Sequence, residues 1–388
     1  MKKRKWIWFG IWLLSLVGIS CVGGAVSYGC FWALTLLPVI SLVYLLCVYF
    51  RFRIYQEVES RDMVCGQAYN YYFTLRNEDY FGFAGVNVRL FPDFSHVENL
   101  PEDIEYELLP GDEFIYRTKI TCKYRGEYEI GLKEVVVTDF FRLFRLCYRF
   151  PGTIRAIVRP KLVDLKEIKE LSDVVISLQR EALFSKSEPD IVVRDYIRGD
   201  SLKKIHWKAT AREGQLKVRT DTGEEKQGIR MVFDTQRYSS DMHEYLPLES
   251  KILEAVLALG MFFAARDMVT TVYYGQNGVR QHEITNIKSF EEFYGGMSNV
   301  SFREEEETNA LFQVLNGQGA FADAKVLIMV LHELDDAIMQ TAEQLSAEGV
   351  YVVIYVITDK NMEAYVREST VRKKIVVIPT EAELEGVL

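Results

Sequence analysis

The first 50 residues constrain this chain more than any other part of it. From Trp6 to Phe50 there is no Asp, Glu, Lys, Arg or His, which leaves a charge-free run of 45 residues. One transmembrane helix needs about 20 apolar residues to cross roughly 30 Å of hydrocarbon. The run therefore predicts two membrane-spanning helices, near residues 6–26 and 28–50. We expect the turn between them where Gly23 and Gly24 lead into residues 27–29.

The basic residues on either side of this run predict the orientation of the anchor. Residues 2–5 are Lys, Lys, Arg and Lys, and Arg51 and Arg53 follow the second predicted span, whereas the turn has no charge. Lys and Arg are retained on the cytoplasmic side of a membrane. We therefore expect a two-span protein of the cell membrane, with both termini and the large remaining domain in the cytoplasm.

Two other processing routes compete with this interpretation of the N-terminus. A cleaved signal peptide fits the basic start, but a second apolar run follows it with no hydrophilic mature start. Residues 18–21, Gly-Ile-Ser-Cys, also resemble a lipoprotein cleavage box, although an aliphatic residue normally stands where Gly18 is. If Cys21 were lipidated, one span would remain and the large domain would still be cytoplasmic.

The 338 residues after the anchor are acidic, with 42 basic and 55 acidic side chains and a formal charge of −13. This charge disfavours nonspecific binding to nucleic acid or to anionic lipid. The six cysteines form no CxxC pair and the five histidines form no HxxxH, which are spacings typical of zinc sites. Gly-x-Ser-x-Gly and Walker motifs are also absent from the sequence. We therefore expect no cofactor, no disulfide framework and no catalytic residue.

Residues 51–160 and 226–388 differ in the period of their apolar positions. In 51–160, short stretches such as 71–75 and 86–90 alternate apolar and polar side chains between turn residues, which predicts an antiparallel, immunoglobulin-like β-sandwich. In 226–388, apolar stretches at 229–233, 269–274, 326–331, 350–357 and 375–378 alternate with helical patterns at 248–265 and 335–347. That order predicts an α/β domain with a mostly parallel sheet. The predicted domains are thus 1–50, 51–160, a connecting segment at 161–225, and 226–388.

The connecting segment contains the most specific pattern, RDYIRGDSLKKIHWKATAR at residues 194–212. Residues 199–201, Gly-Asp-Ser, predict a turn and a helix N-cap, because a side-chain oxygen there satisfies the first amides of a helix. Leu202, Ile205 and Ala209 would then share one helix face, and Gly214 would end the helix before a strand at 216–219. On these residues alone, the pattern predicts a docked helix with solvated charges.

This pattern resembles the signature of the bacterial family DUF58, in which R-x-Y-x-x-G-D and then I-x-W-K-x-x-A-R precede a von Willebrand factor A-like domain. The matching residues are Arg194, Tyr196, Gly199, Asp200, Ile205, Trp207, Lys208, Ala211 and Arg212. Residues 125–131 and 138–144 resemble a second family pattern, R-G-x-Y-x-x-G and then D-P-F-G-L-F. Phe140 and Arg142 replace the usual Pro and Gly there, so we expect a remodelled turn. With the two spans, the resemblance covers nearly the whole chain.

The resemblance implies a von Willebrand factor A-like, Rossmann-type α/β domain, and this fold can carry a Mg²⁺-dependent adhesion site. Such a site uses Asp-x-Ser-x-Ser after the first strand, because carboxylate and hydroxyl oxygens are ligands for Mg²⁺. Here the positions are Asp234, Gln236 and Tyr238, with Arg237 adding a positive charge. Other oxygens near in sequence belong to Ser239, Ser240, Asp241, Glu333 and Asp335. We expect Asp234 to cap a loop in a degenerate metal site.

The resemblance also implies a function, namely a membrane-anchored, non-catalytic interaction scaffold that works with a MoxR-type AAA+ ATPase in the assembly or maturation of envelope complexes. The expected contact surface combines the top of the A-like domain with residues 194–219. Its partner-binding residues would be Arg194, Tyr196, Gly199, Asp200, Trp207, Lys208 and Arg212.

Two alternative functions remain open on the sequence, a Mg²⁺-dependent ligand-binding protein and a nucleic-acid binder. Residues 194–227 contain nine Lys or Arg together with His206 and Trp207, but six acidic residues leave only +3. Basic and aromatic residues together favour single-stranded nucleic acid. A salt-dependent affinity for such a strand would distinguish this alternative from the scaffold.

Overall fold

The computed structural model of the chain describes residues 2–91, 93–100, 103–187, 191–197, 205–221 and 228–388. The chain divides into two compact units, Met1–Lys161 and Leu162–Leu388. We call the first the β unit and the second the α/β unit.

The β unit begins with two helices, α1 at Lys2–Cys21 and α2 at Gly24–Arg51. They are separated where predicted, at Gly23 and Gly24, whose φ angles of 67° and 85° lie in the left-handed region that favours glycine. Among the described residues, α2 is the one helix long and apolar enough to cross a membrane. The apolar part of α1, Lys5–Cys21, is shorter.

The rest of the β unit consists of mostly antiparallel strands, as the alternation of apolar residues predicted. One four-stranded sheet has the order β1-β3-β7-β5, a second has the order β10-β9-β4-β6, and β2-β11-β8 form a three-stranded sheet. The strands are β1 Arg53–Val58, β2 Asp62–Val64, β3 Ala68–Arg76, β4 Phe83–Leu90, β5 Ser95–Val97, β6 Asp103–Leu108, β7 Glu113–Cys122, β8 Gly126–Ile130, β9 Leu132–Thr138, β10 Arg145–Arg149 and β11 Ile154–Arg159.

The core of the β unit includes the last turns of α2. The alternating residues of β3 are buried there, and so are Leu45 and Val48, at 1% and 0% exposure. Tyr44 Oη donates to Gly82 O at 2.9 Å and accepts from Ala84 N at 2.9 Å. The predicted second span, 28–50, therefore does not expose its whole length, because its last ten residues supply one face to a protein core.

The α/β unit is built around a six-stranded mixed sheet with the order β16-β15-β14-β17-β18-β19, in which only the edge strand β16 is antiparallel to its neighbour. Its strands are β14 Ile229–Phe233, β15 Thr270–Gly275, β16 Val279–Ile284, β17 Val326–Leu331, β18 Tyr351–Ile357 and β19 Lys373–Ile378. Two further strands of the unit, β12 Ile191–Asp195 and β13 Lys217–Asp221, form a separate pair. The helices are α3 Ser172–Ser187, α4 Trp207–Glu213, α5 Met242–Ala264, α6 Ile287–Met297, α7 Thr308–Gly317, α8 Asp336–Ala347, α9 Glu363–Val366 and α10 Leu384–Val387, with a 3₁₀ turn at Lys169–Leu171.

Helices cover both faces of this sheet, which explains its continuous apolar strands. All six residues of β17 are buried, and α5 is buried along most of its length. The first part of the predicted connecting segment is also in this core, because Val163, Leu165 and Leu171 pack against the sheet side that α5 covers.

Candidate functional site

The residues of the 194–212 pattern form a small module of two strands and one helix. Strands β12 and β13 pair antiparallel, and α4 lies in the chain between them. Tyr196 N donates to Leu216 O, and His206 N donates to Lys217 O, both at 2.8 Å. Ile205 and Val218 are buried at 5% and 2% exposure and form an isolated bridge, so they hold the inside of the module.

Helix α4 begins later than the sequence indicated. Its N-cap is His206, whose Nδ1 accepts from Ala209 N at 3.1 Å, and Ile205 is in an extended bridge rather than on the helix face. Gly214 ends the helix as predicted, with φ 70°. The predicted N-cap at 199–201 and Leu202 lie outside the described residues.

The predicted partner-binding residues are distributed over this module. Trp207, Lys208 and Arg212 are exposed on α4, and Tyr196 is half-buried. Arg194 lies in β12 opposite Val218, whereas Gly199 and Asp200 fall outside the described residues. The module therefore brings the described members of the pattern together through the β12–β13 pairing.

Lys217 joins the three elements of the module. Its Nζ lies 2.8 Å from Asp195 Oδ1 on β12 and 2.8 Å from Glu213 Oε2 on α4. The hydrogen bonds that Lys217 donates to these two carboxylates raise the pKa of Lys217 to about 12. The contacts link α4 to both strands, and Trp207 is the first residue of α4.

Trp207 is the most unusual side chain of the module, because it is 67% exposed. Two further apolar side chains, Ile197 and Leu216, are 64% and 45% exposed. Backbone hydrogen bonds connect Tyr196 to Leu216 and His206 to Lys217. Each of the three apolar residues takes part in one of these bonds or is the next residue along the chain. Exposed aromatic and aliphatic groups held on a rigid support are typical of protein contact sites.

A second polar cluster lies at the carboxyl ends of β14 and β17. These two strands are neighbours, and the chain leaves them toward opposite edges of the sheet, which is where open α/β sheets bind ligands. Asp234 follows β14 and is 1% exposed. Its Oδ1 accepts from Gln236 N at 2.7 Å and from Thr308 Oγ1 at 2.8 Å, and its Oδ2 is bound by His332 Nδ1.

His332 follows β17, and its imidazole contacts the carboxylate of Asp234. Burial alone would lower the pKa of His332, but the hydrogen bond and the negative charge of Asp234 outweigh it and raise that pKa above its usual range. Tyr238 stacks on the imidazole at 5.5 Å between ring centroids, and Tyr238 Oη donates to Glu244 O at 2.6 Å. The imidazole is therefore held between a carboxylate and an aromatic ring.

The start of α7 supplies residues that the sequence did not single out. Thr308 donates to Asp234, and the neighbouring Asn309 donates through Nδ2 to Asp335, the N-cap of α8. Asp335 Oδ1 also accepts from Ile338 N at 3.0 Å. A polar residue directly after a buried parallel strand could have identified His332, whereas no local pattern indicates Thr308.

The predicted degenerate metal site can be tested on these contacts. Both carboxylate oxygens of Asp234 accept hydrogen bonds from protein groups, and an imidazole stands at one of them. The guanidinium of Arg237 is bound to other groups, because it contacts the carboxylate of Glu249 at 2.7 and 3.2 Å and lies over the ring of Tyr245. A carboxylate whose two oxygens are engaged by an amide, a hydroxyl and an imidazole does not fit a Mg²⁺ site, since Mg²⁺ needs free oxygen ligands.

Three other oxygen-bearing side chains near Asp234 or His332 in the sequence contact groups other than Asp234. Ser239 Oγ donates to Glu244 Oε2 at 2.7 Å, and Asp241 is the N-cap of α5. Glu333 is exposed and lies 3.7 Å from Lys360. Groups of three or more His, Cys, Asp or Glu that could hold a metal ion do not occur among the described residues.

The second family-like stretch, 138–144, closes a loop of the β unit. Asp139 is 2% exposed, and its carboxylate accepts from Phe144 N at 2.6 Å, from Phe141 N at 3.2 Å and from Ser41 Oγ on α2. Arg142 has a φ of 55°, so it adopts the left-handed conformation that glycine usually supplies. Arg142 therefore holds a backbone conformation at which a glycine would be less strained.

Comparisons with known proteins leave the family of this chain open. Neither a protein-family model nor a curated protein matches it. A CARDB domain from Pyrococcus furiosus is similar at 13% identity over 28% of this chain and 94% of that chain, with a TM-score of 0.20. A cohesin module from Clostridium perfringens is 10% identical over 28% and 96%, with a TM-score of 0.18. Alpha-2-macroglobulin from Escherichia coli is 18% identical over 29% of this chain and 17% of that chain, with a TM-score of 0.19. Similarities this weak carry no argument about fold or function.

Proposed function

We propose that this protein is a membrane-anchored, non-catalytic interaction scaffold of the DUF58 type. Both N-terminal helices would span the cell membrane, and the α/β unit would present a protein-binding surface in the cytoplasm. The observation that carries the proposal is Trp207, an exposed tryptophan fixed on a rigid module beside two exposed aliphatic side chains.

Anchoring is supported by the length, charge and packing of the two helices. α2 is long and apolar enough to span a membrane, and the apolar part of α1 covers Lys5–Cys21. In a hairpin, the start of α1 and the end of α2 lie on the same side. The basic residues 2–5 are at the start of α1, and Arg51 is at the end of α2. Trp12 Nε1 donates to Thr35 Oγ1 at 3.1 Å, which joins the helices as a hairpin.

The von Willebrand factor A-like interpretation is supported by the strand order of the six-stranded sheet. Counted within the sheet from β14, the order is 3-2-1-4-5-6, the doubly wound order of Rossmann-type domains. The DUF58 resemblance then implies a MoxR-type AAA+ ATPase as the partner. We propose that this ATPase contacts the Trp207 module, since a tryptophan at the centre of a contact contributes most to binding.

Capture from solubilised membranes tests the partner surface. Trp207→Ala and Asp200→Ala should each recover less ATPase than the natural chain. Val371→Ala is the control, because Val371 is a still more exposed apolar side chain of the same unit, at 84% exposure, outside the module. Undiminished ATPase recovery with both folded module variants would exclude this surface.

Thiol labelling tests the anchor. A variant that keeps only Cys21, at the end of α1, should react with a membrane-impermeant maleimide on intact cells. A variant that keeps only Cys147, which is exposed on β10, should react only after permeabilisation. Labelling of Cys147 on intact cells would place the β unit outside and overturn the proposed orientation.

A further inference from the structure

The β unit contains an apolar groove beside the proposed membrane anchor. The groove has a volume of about 470 Å³, which is within the range of roughly 300–1,000 Å³ typical of small-molecule sites. It lies between the N-terminal part of α1, the middle of α2 and the 139–144 loop, and its lining includes Lys5, Trp8, Phe9, Pro38, Leu143 and Phe144.

The groove has a fixed wall because the loop is tied to the helix. Asp139 receives hydrogen bonds from two amides of its own loop and from Ser41 Oγ of α2. Leu143 points inward at 6% exposure, whereas Phe140 and Phe141 are 62% and 55% exposed. The loop therefore lines the groove with Leu143 and Phe144 and leaves the rings of Phe140 and Phe141 largely exposed.

The position of the loop along α2 corresponds to the edge of a bilayer. The helix runs 17 residues from Gly24 to Ile40 before Ser41 contacts the loop. At 1.5 Å per residue this length is about 25 Å, close to the roughly 30 Å of a hydrocarbon core. Phe140 and Phe141 would then lie at the interface level, where aromatic side chains are enriched.

The polar atoms of the groove are donors. Lys5 Nζ lies 5.8 Å from the ring centroid of Phe144, which holds the ammonium at the groove. The Trp8 indole nitrogen Nε1 is buried and has no hydrogen-bond partner within the described part of the chain. A buried donor without a partner is costly, so an occupant that supplies an acceptor oxygen would stabilise the site.

We propose that this groove binds one anionic phospholipid of the cytoplasmic leaflet. An acyl chain would lie against Phe9, Pro38 and Leu143, the phosphate would be bound by Lys5, and an ester or phosphate oxygen would accept from Trp8 Nε1. The groove continues the apolar surface of the helices, which would face lipid if the hairpin spans the membrane. The proposal rests on the anchoring part of the proposed function.

Lipid binding to the full chain in detergent tests the proposal. Native mass spectrometry would compare phosphatidylglycerol, phosphatidylcholine and oleate added at equal concentrations. We expect one phosphatidylglycerol to be retained, and Lys5→Gln to weaken its retention about fivefold, the order expected for one Lys beside an anionic lipid surface. Lys3→Gln is the matched control, because it removes the same charge from the same helix turn but does not line the groove.

A second measurement reports contact directly. A variant that keeps Trp8 as its only tryptophan should lose fluorescence when phosphatidylglycerol with brominated acyl chains is added at stoichiometric amounts. Lys5→Gln in that background should shift the loss to higher lipid concentration. The readout does not require the partner ATPase.

Three results would overturn the lipid site. They are equal retention of phosphatidylglycerol and phosphatidylcholine, equal weakening by Lys5→Gln and Lys3→Gln, and retention of oleate in place of phospholipid. The maleimide experiment distinguishes this failure from failure of the anchor, because Cys147 labelling reports orientation whether or not the groove is occupied.

Discussion

The last turns of α2 give the sharpest test of this structure, because two adjacent leucines have different environments. Leu45 is 1% exposed and belongs to the core of the β unit, whereas Leu46 is 39% exposed. We propose to compare Leu45→Ala with Leu46→Ala. The two substitutions remove the same atoms from the same helix turn, so the second is a matched control for the first.

The magnitude follows from the burial of each side chain. Leu→Ala in a packed core costs roughly 2–5 kcal/mol, and we expect about 3 kcal/mol for Leu45. A substitution at the partly exposed Leu46 should cost less than about 1 kcal/mol. For a unit of this size, 1 kcal/mol shifts the melting temperature by roughly 2–4 °C. We therefore expect a loss of about 6–12 °C for Leu45→Ala and less than about 4 °C for Leu46→Ala.

The assay should report the β unit alone. Cys122 is 0% exposed and lies in the same core as Leu45, so its thiol becomes reactive when this core opens. In variants that keep Cys122 as the only cysteine, brief pulses of a thiol-reactive dye at rising temperature would give the midpoint of opening. The full chain in detergent or in vesicles is suitable for this measurement.

Equal responses of the two variants would contradict this placement of the last turns of α2. If all of residues 28–50 faced lipid, Leu45 and Leu46 would both lie in hydrocarbon, and the two variants would shift the midpoint by the same small amount. Equal shifts of the midpoint, or a larger shift for Leu46→Ala, would therefore mean that the last turns of α2 are not part of the core of the β unit.

Three further predictions use other contacts. The raised pKa of His332 means that its ion pair with Asp234 contributes stability that is complete below about pH 6.5 and is lost as pH rises through that pKa; thermal unfolding of the α/β unit should show this decline, and His332→Gln should flatten it. Because Arg142 has a positive φ, Arg142→Val should lower the free energy of unfolding of the β unit by about 1–2 kcal/mol, while Arg142→Gly should leave it nearly unchanged, as measured with the Cys122 thiol. Trp207→Ala should change the unfolding free energy of the α/β unit by less than about 0.5 kcal/mol, because Trp207 is 67% exposed; a larger loss in calorimetry would mean that the side chain has a structural role.

Much of the fold could be predicted because apolar periodicity reports burial directly. β14 and β17 have the predicted bounds, Ile229–Phe233 and Val326–Leu331, since both are buried strands that end at a polar residue. β16 was not predicted, because this edge strand has the sequence VRQHEI and most of its side chains are half-buried or exposed. Ile284 is the one fully buried residue of β16, so the strand has no continuous apolar run of the kind that identified β14 and β17.

The candidate sites were less predictable because their partners are far apart in sequence. Asp234 was identified from its place after β14, but its partners Thr308 and His332 lie 74 and 98 residues away. The start of α4 was misplaced for a related reason. Ile205 pairs with Val218, and this contact keeps residue 205 extended where the local pattern favoured a helix.

The charge-free run includes residues of two different environments, the expected lipid and the core of the β unit. Its apolar residues predicted lipid along the whole length, since hydropathy does not distinguish a bilayer from a protein core. Leu45 and Val48 are as apolar as a membrane span requires, yet they are buried in the β unit. Among the contacts of these turns is the hydrogen bond from Ser41 to Asp139, 98 residues away, which docks the loop on α2.

This docking couples the anchor to the fold of the β unit. A free transmembrane helix tilts to match a bilayer of different thickness, at a cost of fractions of a kcal/mol per Å of mismatch. α2 lacks that freedom, because its last turns are packed in a protein core and Ser41 is bonded to the buried carboxylate of Asp139. If the hairpin spans the membrane, a thicker bilayer therefore strains the contact between Ser41 and Asp139 or draws the 139–144 loop into the interface. The stability of the β unit, followed through Cys122, should then fall as acyl chains lengthen, and a β unit joined to its anchor by a flexible linker would show no such dependence.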